Sequence, residues 1–312
     1  MISVNNVTKK FEGFTALENL SCSILDNCIY GLVGSNGAGK STLIRVLTGV
    51  YKADGGQVLL DGEAIFENPA KKARISYVPD ELFFTAGANL ERMAKMYKSL
   101  YPRFNETKLR KMAGELDLDM KKGISSFSKG MKRQAATILA LATEPQYIFF
   151  DETFDGLDPV IRSFIKQLIV TEMNERGASA IITSHSLREL EDTCDQLALL
   201  HRGGIVLESD VADIKTSHFK VQIAFDHDFS QDSFKGINVS NFKKSGSVAN
   251  LIVSGDREET LAYLKALNPI LLDILPLTLE EVFTYELKSL GYGFDISDLL
   301  EDYAKGGKAN EQ

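Results

Sequence analysis

Eight consecutive residues, Gly34-Ser35-Asn36-Gly37-Ala38-Gly39-Lys40-Ser41, satisfy the pattern GxxxxGK[ST] between an apolar run and a stretch with helical spacing. Glycines at those positions let a loop fold back so that successive backbone N–H groups converge on phosphate oxygens at the positive end of the following helix. Lys40 is spaced to reach β- and γ-phosphates, the Ser41 hydroxyl is placed for Mg²⁺, and Thr42 adds a further donor. The pattern predicts a nucleoside-triphosphate site. A second element, Ile148-Phe149-Phe150-Asp151-Glu152, is an apolar strand ending in two carboxylates. Behind a phosphate loop, Asp151 suits a carboxylate that holds Mg²⁺ through water. Glu152 suits a base or water-orienting group facing the γ-phosphate.

Positioning these groups requires buried strands that alternate with helices. Cys28–Val33, Tyr147–Phe150, Ala178–Thr183 and Leu197–Leu200 are apolar on both faces, and helical stretches Ser41–Val50, Val160–Met173 and Leu187–Cys194 separate them. That rhythm predicts a buried, largely parallel sheet in an α/β protein. Before it, Ile2–Val7 and Leu20–Leu25 alternate as short strands, with further strands at Gln57–Leu60 and Arg74–Val78. A helical insert is expected over about residues 84–141, with helices at Ala88–Leu100 and Glu106–Leu116. After about Ser217 the pattern changes to strands at Val221–Phe225 and Ala249–Val253 and a helix at Arg257–Leu267. Three segments are therefore expected: residues 1–215, a small α+β unit at 216–294, and a polar, flexible tail at 295–312.

Four more stretches fall in an order that ordinary phosphate-loop proteins lack. Ser128-Lys129-Gly130-Met131-Lys132-Arg133-Gln134 opens a helix, Gly156-Leu157-Asp158-Pro159 follows the acidic strand, Ser184-His185-Ser186 ends the next strand, and Phe11 lies upstream. In this combination residues 2–210 resemble the ATP-binding subunits of ABC transporters. The resemblance implies a P-loop cassette with a mostly parallel sheet, an antiparallel N-terminal part and a helical subdomain. It also implies roles. Phe11 would stack on adenine. Ser128 and Gly130, with Lys129 and Met131 between and after them, would form the signature that contacts ATP held by an opposite subunit. Asp158 would lie at the dimer seam, and His185 would sense the γ-phosphate beside Glu152 and Lys40 as the catalytic set.

Two departures stand out. The usual LSGGQ is Phe127-Ser128-Lys129-Gly130-Met131 here, and Lys129 either adds positive charge near the partner's nucleotide or points into solvent. Asp80 stands where most relatives carry the glutamine that touches Mg²⁺ and links to the membrane subunit. A carboxylate could keep the metal contact without donating as an amide does, so altered metal dependence or coupling is expected.

The resemblance further implies an ATP- and Mg²⁺-dependent ATPase that pairs head-to-tail with an identical or paralogous subunit and drives a separate membrane permease. The signature and the stretch Pro276–Phe283 resemble the ABC-2-type group, mostly exporters; the same Leu279–Phe283 run also suits an amphipathic helix packing onto the core. The alternative is a soluble ABC ATPase acting on ribosomes or DNA, against which stand the single cassette and the short helical insert.

Composition agrees. The 312 residues, 44% hydrophobic and 25% charged, can bury a sizeable core, and the net charge of -8 argues against nucleic acid as partner. From Thr216 to Gln312 there are 9 Lys and Arg against 15 Asp and Glu, which leaves 26 against 28 in the first 215 residues. The nucleotide-binding part is thus near balance, and phosphate must be met by N–H groups, Lys40 and Mg²⁺ rather than by bulk charge. Cys22, Cys28 and Cys194 form no disulfide or zinc pattern, and small buried thiols are expected. With no signal peptide and no bilayer-length apolar run, a cytoplasmic protein is expected, peripheral on the inner face of the membrane through its permease.

Overall fold

The computed structural model describes residues 1–289, so the tail expected at 295–312 lies outside the described residues. By packing, the chain divides into two units, Met1–Glu208 and a second beginning at Ser209. A boundary after residue 215 would cut the helix Val211–Ser217.

The first unit opens with long strands β1 (Ile2–Phe11) and β2 (Phe14–Ile24), followed by β3 (Ile29–Val33), α1 (Lys40–Leu47), β4 (Gly55–Leu60), β5 (Glu63–Ala64), α2 (Pro69–Lys72) and β6 (Ile75–Val78). The helical insert holds α3 (Leu90–Leu100), α4 (Glu106–Glu115) and α5 (Lys129–Leu141). Then come β7 (Tyr147–Phe150), α6 (Pro159–Arg176), β8 (Ser179–Ser184), α7 (Leu187–Leu190), β9 (Gln196–His201) and β10 (Gly204–Asp210). The strands form an antiparallel sheet ordered β2-β1-β4-β5 and a six-stranded sheet ordered β10-β9-β3-β8-β7-β6, in which β9, β3, β8, β7 and β6 run parallel. This is the expected α/β class with its antiparallel N-terminal part.

Local signals set the helix limits. Asn89 and Asn105 accept the backbone N–H groups of Arg92 and Lys108 and so start α3 and α4. Asp158 caps α6 ahead of Pro159, and Gly177 ends it in the left-handed conformation. The helix expected at Leu187–Cys194 ends at Leu190 instead. The N–H groups of Thr193 and Cys194 both return to the Leu190 carbonyl, and the Asp195 carboxylate turns away to accept the Ile29 N–H at 2.8 Å. One core cluster joins the antiparallel sheet, α1 and the central strands, with Leu17, Leu20, Ile44, Leu47 and Phe149 among its buried members. Each such side chain contributes about 1.5–3 kcal/mol by leaving water. The three cysteines are buried and form no disulfide.

The second unit contains α8 (Val211–Ser217), β11 (His218–Ala224), β12 (Asn238–Ser245), β13 (Val248–Ser254), α9 (Arg257–Ala266), β14 (Leu271–Leu275) and α10 (Leu279–Ser289). Its antiparallel sheet, ordered β12-β13-β11-β14, encloses a core with packed Phe225, Phe229, Phe234 and Phe242 rings.

Register decides where the chemistry gathers. Val78 pairs with Phe150, Phe150 with Ile182, and Ser184 with Val33. The residues that follow these strands, namely Pro79-Asp80, Asp151-Glu152, His185 and the Gly34 loop, therefore emerge side by side at the carboxyl edge of the sheet. Open α/β sheets bind ligands at that edge.

Candidate active site

The loop from Gly34 to Gly39 links β3 to α1, and its backbone admits little variation. A Cβ on Gly34 would stand 2.5 Å from the Leu200 carbonyl oxygen. Gly39 has φ +110°, and a Cβ there would meet the Ala16 carbonyl at 2.7 Å. The Ala38 N–H closes onto the Ser35 carbonyl at 3.1 Å, and Asn36 and Gly37 form the exposed tip. Lys40, buried at the first turn of α1, donates to the carbonyls of Gly34 at 2.6 Å and Ser35 at 3.3 Å. Its ammonium also pairs with Glu152 Oε1 at 3.1 Å. Ser41 and Thr42 follow on the same turn, half-buried.

Glu152 is held on three sides. Its other carboxylate oxygen lies 3.0 Å from His185 Nδ1, and its N–H donates to Thr183 Oγ1 at 3.0 Å. Its φ of +49° is left-handed, a conformation rare outside glycine that persists only where neighbours enforce it. Burial opposes ionisation of Glu152, but the His185 hydrogen bond and the Lys40 charge outweigh it and hold the carboxyl below its usual range. The Glu152 hydrogen bond raises His185 against the opposing effect of its partial burial.

Asp151, fully buried, is pushed up by desolvation, while hydrogen bonds from Thr183 and Ser41 favour its charged form. Thr183 Oγ1 donates to Asp151 Oδ1 at 2.7 Å, and the Tyr77 hydroxyl stands 3.4 Å from Oδ2. The Ser41 hydroxyl, near enough to favour the charged form of Asp151, and the Asp151 carboxylate fit Mg²⁺, which takes few protein oxygens and keeps waters and substrate phosphates. The structure thus brings together Gly34–Thr42, Asp151, Glu152 and His185.

The family model described as ABC transporter matches residues 17–155; a second, for an AAA domain (putative AbiEii toxin, Type IV TA system), matches residues 123–191. The ABC transporter ATP-binding protein YtrB of Bacillus subtilis is 31% identical over 283 residues, covering 91% of this chain and 97% of its own length. The chain belongs to the ABC transporter ATP-binding family. The lipopolysaccharide export system ATP-binding protein LptB of Haemophilus influenzae is 30% identical over 66% of this chain and 89% of its own length. The ATP-binding subunit of an ABC transporter shares the fold with a TM-score of 0.62 at 24% identity, over 69% of this chain and 92% of that one. The cassette MJ0796, solved as a dimer bound to ADP and Pi, does so with a TM-score of 0.60 at 22% identity, over 68% and 99%. This ABC cassette is accordingly an ATP-binding and ATP-hydrolysing protein. Among the described residues no helix is long and apolar enough to cross a membrane.

The remaining predicted residues lie on neighbouring elements of the cassette. Ser128 caps α5 by accepting the Met131 N–H at 3.2 Å. Lys129 keeps a largely solvent-exposed side chain, 71% exposed, while its ammonium pairs with Asp155 Oδ2 at 3.0 Å where the loop after β7 passes the start of α5. A Cβ on Gly130 would lie 3.4 Å from the Gly156 carbonyl, so the Ser128–Met131 segment and the loop carrying Asp158 abut. Asp158 is exposed and accepts the N–H groups of Val160 and Ile161. Phe11 is 40% exposed at the end of β1, its ring edge-on to Tyr51 and near the Lys9 ammonium. Asp80 Oδ1 is occupied by Arg133 Nη2 at 2.9 Å.

Thr183, Tyr77 and Arg133 escaped the sequence reading. Thr183 sits one residue before Ser184, where parallel pairing of β7 and β8 puts it beside Asp151. Arg133 falls with Thr137, Ile138 and Leu141 on the buried stripe of α5, a spacing visible in the sequence.

Proposed function

We propose that this chain is the motor subunit of a membrane transporter, in which two cassettes close head-to-tail around two ATP molecules and act on a separate permease. The observation that carries the reading is the convergence of Lys40, Asp151, Glu152 and His185 at one sheet edge beside a glycine loop. In this reading the loop N–H groups and Lys40 bind the triphosphate, whose oxygens compete with the Gly34 and Ser35 carbonyls for the ammonium. Ser41 and Asp151 would hold Mg²⁺, which would supply charge neutralisation on the triphosphate. Glu152 accepts a proton from the attacking water as its oxygen bonds to the γ-phosphorus and the bond to the departing ADP oxygen breaks. His185, hydrogen-bonded to Glu152, fixes that carboxylate and meets the γ-phosphate. Phe11 stacks on adenine, and Ser128 and Gly130 face the partner's nucleotide with Asp158 at the seam.

Outward transport is supported by the Pro276–Phe283 segment, which resembles the ABC-2-type exporters. The cassette then works at the inner face of the cell membrane, bound to its permease. Glu152→Gln is expected to retain ATP binding, lose hydrolysis by about 100-fold or more, and accumulate as an ATP-bound dimer. A variant that stays monomeric at saturating ATP contradicts the dimer. Co-purification with a polytopic membrane protein tests the permease.

A further inference from the structure

Arg133 lies one turn into α5, yet its side chain is only 1% exposed. Its guanidinium reaches a single short segment: Nη2 donates to Asp80 Oδ1 at 2.9 Å, and Nη1 donates to the carbonyls of Asp80 at 2.9 Å and Pro79 at 3.3 Å. Asp80 itself is 51% exposed, so burial alone does not impose its position. A buried guanidinium without a carboxylate partner is strongly unfavourable, which makes Asp80 its natural counter-ion. The segment it grips continues directly from β6, and the Asp151 N–H donates to the Val78 carbonyl at 2.9 Å. A continuous path therefore runs from the Ser128 cap through α5 to Arg133, on to Pro79-Asp80, and across one backbone hydrogen bond to Asp151. Arg133 also lies close enough to Asp155 for its charge to favour that carboxylate, beside the Lys129 pair, so α5 is charge-tied to both loops that flank Asp151.

We propose that Asp80 and Arg133 form a strut that fixes the helix opened by Ser128 against the strand end carrying Asp151, which makes Asp80 a positioning residue for hydrolysis and not a ligand of the metal. The aspartate at this position is then explained by its partner: a carboxylate neutralises a buried arginine, which an amide cannot do. The inference rests on the ATPase site described above.

The test is steady-state ATPase of the full chain with ATP and Mg²⁺ varied independently, together with binding of a fluorescent ATP analogue without metal. Asp80→Asn, at a half-exposed position, is expected to lower kcat about tenfold while KM for ATP and the half-saturating Mg²⁺ concentration stay within about twofold. Asp80→Glu and Arg133→Lys, which keep the charges, are expected to recover most of the rate. Asp80→Asn with Arg133→Met is expected to be no slower than the slower single variant, because both remove the same contact. Asp80→Asn that needs several-fold more Mg²⁺ and regains full kcat when saturated would show a metal ligand and overturn the strut, as would single effects that multiply in the double variant. If Arg133→Met does not fold, the kcat-against-Mg²⁺ split of Asp80→Asn decides alone. A wild type that binds ATP without hydrolysing it defeats the site reading and the strut with it, whereas an active wild type matched by Asp80→Asn defeats only the strut.

Discussion

Replacing Thr183 by valine probes the residue that joins the two carboxylates. The side chain is fully buried, its hydroxyl donates to Asp151 Oδ1 at 2.7 Å, and it accepts the Glu152 N–H at 3.0 Å. Valine keeps the shape and deletes both bonds. A hydrogen bond to a charged group contributes about 1.5–3 kcal/mol, and a buried N–H left unpaired costs about 1–3 kcal/mol. Because the two share one hydroxyl, a combined loss of about 3 kcal/mol is expected rather than the full sum. For a unit of this size each kcal/mol shifts the melting temperature by about 2–4 °C, which gives a fall of about 6–12 °C. Catalysis suffers separately. The Thr183 bond is one of the restraints holding Glu152 at φ +49°, and a displacement of about 1 Å in a catalytic group can reduce the rate about 100-fold. Thermal unfolding and ATPase rates of Thr183→Val and Thr183→Ser decide the matter, since serine retains the hydroxyl. A valine variant that melts within 2 °C of wild type (under the ~2–4 °C per kcal/mol scale) and turns over normally would refute the bridge, and so would a serine variant as impaired as valine.

Two further outcomes are expected. The Glu152–His185 pair is at full strength only when the first is ionised and the second protonated. His185 has a raised folded pKa, so its contribution is complete below its unfolded value of about 6.5 and disappears as pH rises through the folded value. Glu152 has a depressed folded pKa, and its contribution disappears as pH falls through that value. The stability gap between wild type and His185→Gln, followed by thermal melts across pH, should therefore narrow on the alkaline side; a gap that widens there would contradict the pairing. Gly39→Ala places a Cβ 2.7 Å from the Ala16 carbonyl at a φ that L-residues avoid, a strain of about 1–3 kcal/mol. ATP affinity measured by fluorescence titration should fall about tenfold or more, and unchanged affinity would show that the loop tolerates the shift.

Local features were legible from residue order alone. The phosphate loop is contiguous, so its glycines, Lys40 and Ser41 appear as a pattern. Tyr147–Phe150 reads as a strand because it is apolar on both faces, and α6 reads as a helix between Asp158-Pro159 and Gly177. Failures followed from weak local signals. β12 and β14 are edge strands with partly exposed faces, so Asn238–Ser245 and Leu271–Leu275 lack the alternation that marks a half-buried strand. The end of α7 depends on where the Asp195 carboxylate finds an N–H, which lies on β3.

The sequence by itself determined the chemistry, because phosphate binding and metal binding need particular residue types at fixed short spacings, and these survive in one dimension. Only the tertiary structure decided which charges meet. Lys40 and Glu152 are 112 positions apart, Asp80 and Arg133 lie in different elements, and Lys129, though largely exposed, pairs with Asp155. Parallel register at the sheet edge and the packing of α1 and α5 beside it set those pairings together, and neither is contained in any short stretch of residues.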